Sequence, residues 1–180
     1  MKLPTNKNKE NIMSTNQDLI IHQKVIEPFG GDVESFIERR KTKGFSQKEM
    51  AAALGFFDAA VIGHFETGAF GLDNRCYTLF LLITDGHPRY KLELKDDDDA
   101  GKLLINPPSD GKQIRATRIN AHRMTQIKMA KLLGLNGKTI ISKYENDRKS
   151  PSLANWTVFL LLSSQHPFYK ITPITGQQTQ

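Results

Sequence analysis

The chain has 180 residues, 38% of them hydrophobic and 24% charged, a balance expected of a soluble globular protein and not of a fibrous or largely disordered one. Its net charge of +6 and pI near 9.4 favour a polyanionic partner, and the length allows one domain or two small ones. The single cysteine, Cys76, excludes an internal disulfide framework and any multi-cysteine zinc site.

Residues 1–17 are rich in Asn, Lys and Thr with little to bury, which predicts a disordered tail; Lys2, Lys7 and Lys9 make it at most a sparse basic arm. They contain no apolar stretch of the kind a secretory signal needs. The longest apolar runs, residues 77–83 and 156–162, are too short for a bilayer core of ~30 Å. The expectation is a cytoplasmic protein with no membrane partner. Residues 18–26 are more apolar and β-branched, which suits a short strand or a segment laid over a domain surface, and Pro28, Gly30 and Gly31 end it.

A first helical domain, with this extension, is expected over 18–94. Helix 1 spans about 33–43, helix 2 follows Ser46, helix 3 carries Ala59, Ala60, Ile62, His64 and Glu66, and helix 4 covers about 73–84. Cys76 falls inside that last apolar helix and reads as a buried thiol. Tyr90, Leu92 and Leu94 then alternate with Lys91, Glu93 and Lys95, a strand pattern. Residues 95–110 carry four consecutive aspartates after Lys95 and contain a Pro-Pro pair, which reads as an acidic linker.

A second domain is expected over 111–172, before a C-terminal tail at 173–180. Helix 1 spans about 111–121. Thr125 is a good N-cap, and Met129, Leu132 and Leu133 recur at helical spacing, leaving Gln126, Lys128 and Lys131 to solvent. The helix stops at Gly134, and Asn136-Gly137 suits a turn with positive φ. The chain restarts as helix 3 over 138–145, with Ile141 and Tyr144 inward and Lys138, Thr139, Ser142 and Lys143 outward, all able to donate hydrogen bonds. A helix of ~10 Å diameter fits the DNA major groove, and its N-terminal residues reach base edges. Arg148 and Lys149 add cations beyond its end. Ser150 as N-cap and Pro151 at the first helical position predict helix 4 over 151–163, its apolar face Leu153, Trp156, Phe159 and Leu160. Residues 90–94, 169–172 and 19–26 either pair into a small sheet joining two units or two chains, or lie as extended surface tails.

The two domains repeat. Shifted by 79, Phe45 to Leu92 lies over Met124 to Ile171 without a gap: Gln47 meets Gln126, Met50-Ala51 meets Met129-Ala130, Leu54-Gly55 meets Leu133-Gly134, and Glu66 meets Glu145. His87, Pro88 and Tyr90 likewise meet His166, Pro167 and Tyr169.

With Arg118, Gln126, Ala130, Leu133-Gly134, Tyr144-Glu145 and Pro151 in this order, the second copy resembles the lambda-repressor and Cro (Xre-type) helix-turn-helix family. The first resembles it through Arg40, Ser46, Gln47, Ala51, Leu54-Gly55 and Glu66. The resemblance implies an all-α fold of tandem helix-turn-helix bundles. Double-stranded DNA is then met at Thr125, Gln126 (on a phosphate), Gly137, Lys138, Thr139, Ser142, Lys143, Arg148 and Lys149, with Gln47, Ala59, Ala60 and His64 at matching places in the first copy. It also implies structural ion pairs of Arg118 with Glu145 and of Arg40 with Glu66, and a homodimer. Both copies depart from the family by one additional turn residue before helix 3, which leaves Gly137 and Lys138 as rival first groove positions.

Charge separates the copies. Residues 111–172 hold eleven Lys or Arg against two acids, a net +9, whereas 33–94 hold eight of each. Phosphate neutralisation supplies most non-specific affinity, so the second copy is the expected DNA reader. The first, with Phe57, Asp58 and Phe70, assists it or docks a protein partner. His87 and His166 before prolines suit carbonyl-capping corners better than metal ligands. No serine or cysteine has an evident base beside it, so no enzyme, cofactor or metal is expected. The function that follows is a transcriptional regulator, most plainly a repressor. The alternatives are an antitoxin-type autoregulator with a protein partner, or an accessory protein of plasmid or phage DNA transfer.

Overall fold

The computed structural model describes residues 25–30, 32–96 and 101–174. Helix α1 (Val33–Thr42) begins where the Asp32 carboxylate accepts from the Ser35 N–H and ends on Arg39, Arg40 and Lys41, cations at its negative pole. A capping box between Ser46 and Glu49 starts α2 (Gln47–Ala53). Helix α3 (Ala60–Glu66) follows, then α4 (Asn74–Ile83) with Asp73 as its cap, and strand β1 (Tyr90–Leu94). The same order recurs as α5 (Gly111–Asn120), α6 (Gln126–Leu132), α7 (Thr139–Glu145), α8 (Leu153–Leu162) and β2 (Tyr169–Pro173). Thr125 caps α6 through the Lys128 N–H at 3.2 Å, as its position before the apolar series predicts.

The start of α8 differs from the sequence expectation. Its N-cap is Ser152, which accepts from the Asn155 N–H at 3.2 Å, and not Ser150. Pro151 is buried ahead of the helix instead of forming its first residue. Anchored there, the chain begins the helix at the next hydroxyl. The apolar face is also wider than expected: Ala154 and every residue from Trp156 to Leu162 are buried, while Leu153 is only half-buried. A helix apolar all round must be covered all round, and α8 packs on α4 as well as on α6.

Strands β1 and β2 form an antiparallel ladder, among the described residues the one sheet, with Tyr90 opposite Pro173, Leu92 opposite Ile171 and Leu94 opposite Tyr169. Leu92 and Ile171 are equivalent under the 79-residue shift, so the ladder is centred on a residue facing its own counterpart. Of the third expected strand, residues 19–24 lie outside the described ones, and Val25 and Ile26 are not in a strand. The tail at 1–17, the aspartates 97–99 and residues 175–180 also lie outside them.

Residues 101–110 do not form a free linker. The Ile105 N–H donates to Thr157 Oγ1 at 3.0 Å, the Leu103 carbonyl meets His166 Nε2 at 2.7 Å, and Leu103, Leu104 and Ile105 pack on the core. Residues 25–30 are held in the same manner: the Glu27 N–H donates to Thr78 Oγ1 at 2.8 Å and the Val25 carbonyl meets His87 Nε2 at 2.7 Å. Composition marks 95–110 as polar, but it does not show that a threonine and a histidine of α8 and its corner wait to bind its backbone.

Each extended segment also reaches the opposite half. A Cβ on Gly55 would lie 2.8 Å from Leu153 Cβ and 3.6 Å from Leu104, and one on Gly134 would lie 3.1 Å from Ile26. Arg75 crosses too, donating from Nε to Asn155 Oδ1 at 3.0 Å and from Nη1 to the Leu133 carbonyl at 3.1 Å. The core is accordingly continuous through both halves. No described helix is long and apolar enough to cross a membrane.

Candidate nucleic-acid interface

The outward row of α7 rests on an interior ion pair. Arg118 Nε donates to Glu145 Oε1 at 2.5 Å and Nη2 to Oε2 at 3.0 Å, while Nη1 donates to the Met124 carbonyl. Both side chains are less than a tenth exposed, at 8% and 4%. Gln126 Nε2 donates to Glu145 Oε2 at 2.8 Å. One carboxylate thus ties α5, the start of α6 and the end of α7. Burial works to raise the Glu145 pKa, but the hydrogen bonds from Arg118 and Gln126 outweigh it and the net shift is downward, so the group is charged.

Two backbone features complete the clamp. Gly111 opens α5 against the end of α7, where a Cβ would sit 2.6 Å from the Glu145 carbonyl oxygen. Its N–H donates to Asp147 Oδ1 at 2.7 Å, and Asp147 itself has φ 56°. Neither residue carries a sequence signal for this contact, because each looks like an ordinary turn residue.

On this support Ile141 and Tyr144 face inward, while Lys138, Thr139 and Lys143 are exposed and Ser142 is half-buried. Gly137 has φ 120°, a backbone only glycine adopts comfortably, and Lys138 already has helical dihedrals just before α7. Arg148 and Lys149 are exposed past its end, and Thr125 is exposed at the start of α6. Gln126 is half-buried with its amide turned onto Glu145, so only its second N–H is left for a phosphate. Beside this row lies an open depression of about 510 Å³ lined by Ile119, Arg123, Ile127 and Lys138 among others. Arg123 was not among the residues expected there; it reaches the edge through positive φ at His122 and Arg123, 54° and 52°.

The corresponding surface of the first half has the same frame and a different face. Arg40 Nε donates to Glu66 Oε1 at 2.5 Å and Gln47 Nε2 to Glu66 Oε2 at 2.7 Å. Outward lie Ala60 and His64, with Ala59 half-buried. Where α7 is preceded by Gly137, α3 is preceded by Asp58, whose carboxylate accepts from the Ala60 N–H at 2.8 Å. Phe57 is fully exposed in the turn, and Phe70 packs edge-on to His64 with ring centres 5.2 Å apart.

Residues 114–157 match a family model described as Helix-turn-helix. The matched helix-turn-helix segment runs from within α5 to within α8 and contains the whole Arg118–Gln126–Glu145 clamp and the outward row of α7. No curated protein and no solved structure matches the chain at a significant level.

Other chemistry-bearing groups are engaged structurally. His87 Nδ1 lies 3.2 Å from the N–H groups of both Arg89 and Tyr90, and His166 Nδ1 lies 3.2 and 3.1 Å from those of Phe168 and Tyr169. A nitrogen facing two donors must accept, so each ring carries its proton on Nε2 and donates it to the Val25 or Leu103 carbonyl. Burial lowers both pKa values. Burial pushes the Cys76 thiol up to about 12, which leaves it unreactive at neutral pH.

Proposed function

We propose that this chain is a sequence-specific double-stranded DNA-binding transcription regulator, a repressor that reads its operator mainly through α7. The observation that carries this reading is the row Lys138, Thr139, Ser142 and Lys143, held outward by the buried Arg118–Glu145–Gln126 clamp inside the matched segment. Lysines and hydroxyls on a short, firmly seated helix are donors for guanine and phosphate oxygens. The cations gathered in the same half supply the salt-dependent part of the affinity. Chemistry on the DNA forms no part of the reading: it assigns the protein no catalytic residue, metal or cofactor.

Residues 33–94 are a second helix-turn-helix unit in this reading. Support comes from the Arg40–Glu66–Gln47 clamp and from the coincidence of capping, turn and strand positions. Selection of bound sequences from random duplexes tests the proposal. A defined motif is expected, and Lys143→Ala should weaken it by about five- to a hundredfold if the lysine reads a base. Failure to enrich any sequence, with binding indifferent to Lys138 and Lys143, would overturn it.

A further inference from the structure

The contacts between the two halves are reciprocal. Gly55 at the end of α2 abuts Leu104 of the second extended segment, and Gly134 at the end of α6 abuts Ile26 of the first. Leu104 and Ile26 hold the same place in their segments, one residue beyond the carbonyls that His166 and His87 bind. Helix α4 packs on α8, its counterpart, and the ladder centres on Leu92 facing Ile171. Contacts in which i meets j and j meets i are the mark of an isologous two-fold interface. Here both partners belong to one chain.

The axis of this internal two-fold has two ends. At one lies the β1–β2 ladder, which follows the C-terminal ends of α4 and α8. At the other Arg75, at the N-terminal end of α4, donates to Asn155, at the N-terminal end of α8. Helices of ten residues, ~15 Å long, separate the ends. The C-terminal ends of α2 and α6 lie at this pole, Gly55 against Leu153 and the Leu133 carbonyl on Arg75, and α3 and α7 follow them after six intervening residues, on the side opposite the sheet. Tyr144 on the inner side of α7 lies near Asn155 and Arg75 at that same pole.

We infer that one chain, without a second copy, places α3 and α7 on a single duplex and reads two unlike half-sites. The inference rests on the DNA-binding reading above and adds the shape of its target. The half under α7 is anchored by lysines and is salt-sensitive. The half under α3 meets Ala59, Ala60 and His64, which offer methyl groups to thymine and few cations to phosphate. The site is therefore a degraded palindrome, rich in A·T pairs on its weaker side.

The test uses the full chain and the duplex it selects. Native mass spectrometry is expected to show one chain per duplex, and hydroxyl-radical footprinting two protected segments about one helical turn apart. Ala60 is exposed at the first position of α3, where a charge does not disturb the core. Ala60→Asp should weaken binding about tenfold, and Ala60→Lys should steepen the salt dependence by about one unit, with melting temperatures close to the parent's. Two chains per duplex, each protecting one segment, would overturn the inference and leave α7 as a DNA reader. Indifference of binding to both Ala60 variants would also overturn it, freeing the Phe57–Phe70 face for a protein. Absence of any duplex binding would sink the functional reading itself.

Discussion

Glu145 is the residue on which the seating of α7 turns, because a buried carboxylate with three donors cannot lose them or be lost cheaply. Removing it strands the Arg118 guanidinium in the interior, so Glu145→Ala is expected to cost ~3–5 kcal/mol in urea unfolding. An unaltered midpoint would show that the clamp does not hold the helix. Gly111→Ala forces a Cβ against the Glu145 carbonyl, and its melting temperature should fall by several degrees. Gly71→Ala, where a Cβ meets nothing, serves as its control. The two corner histidines set a pH limit. Their pKa values are lowered on folding, so the unfolded chain binds protons first as the pH drops below the ordinary value of 6.5. Stability is present in full above that pH and declines as it falls, and the lowered Glu145 pKa extends the loss below 4.5. Replacing both histidines by Gln should lower stability at pH 7 and flatten its slope between pH 6.5 and 5. An unchanged slope in the double variant would show that other groups govern it.

At the scale of elements, a helix end and a helix face separate by their effects. Ser152→Ala removes the observed cap of α8 and should cost ~1 kcal/mol, whereas Ser150→Ala should cost almost nothing; the opposite ranking in thermal melts would restore the earlier start. The outward lysines of α7 make few interior contacts, so Lys138→Ala and Lys143→Ala should leave the melting temperature alone. A lysine on phosphate lowers affinity evenly across sequences and reduces the salt slope by about one unit, while one on a base concentrates its loss at a single position. Titration of each variant against a panel of single-base operator changes distinguishes the two.

At the scale of the whole molecule, each half covers the other's last helix. A fragment of residues 101–180 alone would expose the side of α8 that α4 covers in the intact chain. It should melt well below the parent or associate with itself, as light scattering after size exclusion would reveal. A monomeric fragment as stable as the parent would mean that the halves are independent bodies. The same packing explains why residues 101–110 are a strap: their backbone is the lid over α8, matched in the first half by 25–30 over α4.

What the amino-acid order alone determined is the short-range part. The cap at Thr125, the Asn136-Gly137 turn, the inward Ile141 and Tyr144 and the lysines opposite them all follow from neighbours within a few positions, where propensity and periodicity act. The Arg118–Glu145 pair also came from the sequence, through a resemblance and not through spacing. What only the tertiary structure decided is where apolar and polar groups with several possible partners go. The uniformly apolar α8 carries no periodicity to say which side meets α4, and Gln126 reads as solvent-facing until Glu145 is beside it. The strap has no regular structure of its own, because its hydrogen bonds go to side chains about fifty or more residues away. Such choices belong to long-range packing, where the free energy of burial is gained only once both surfaces exist.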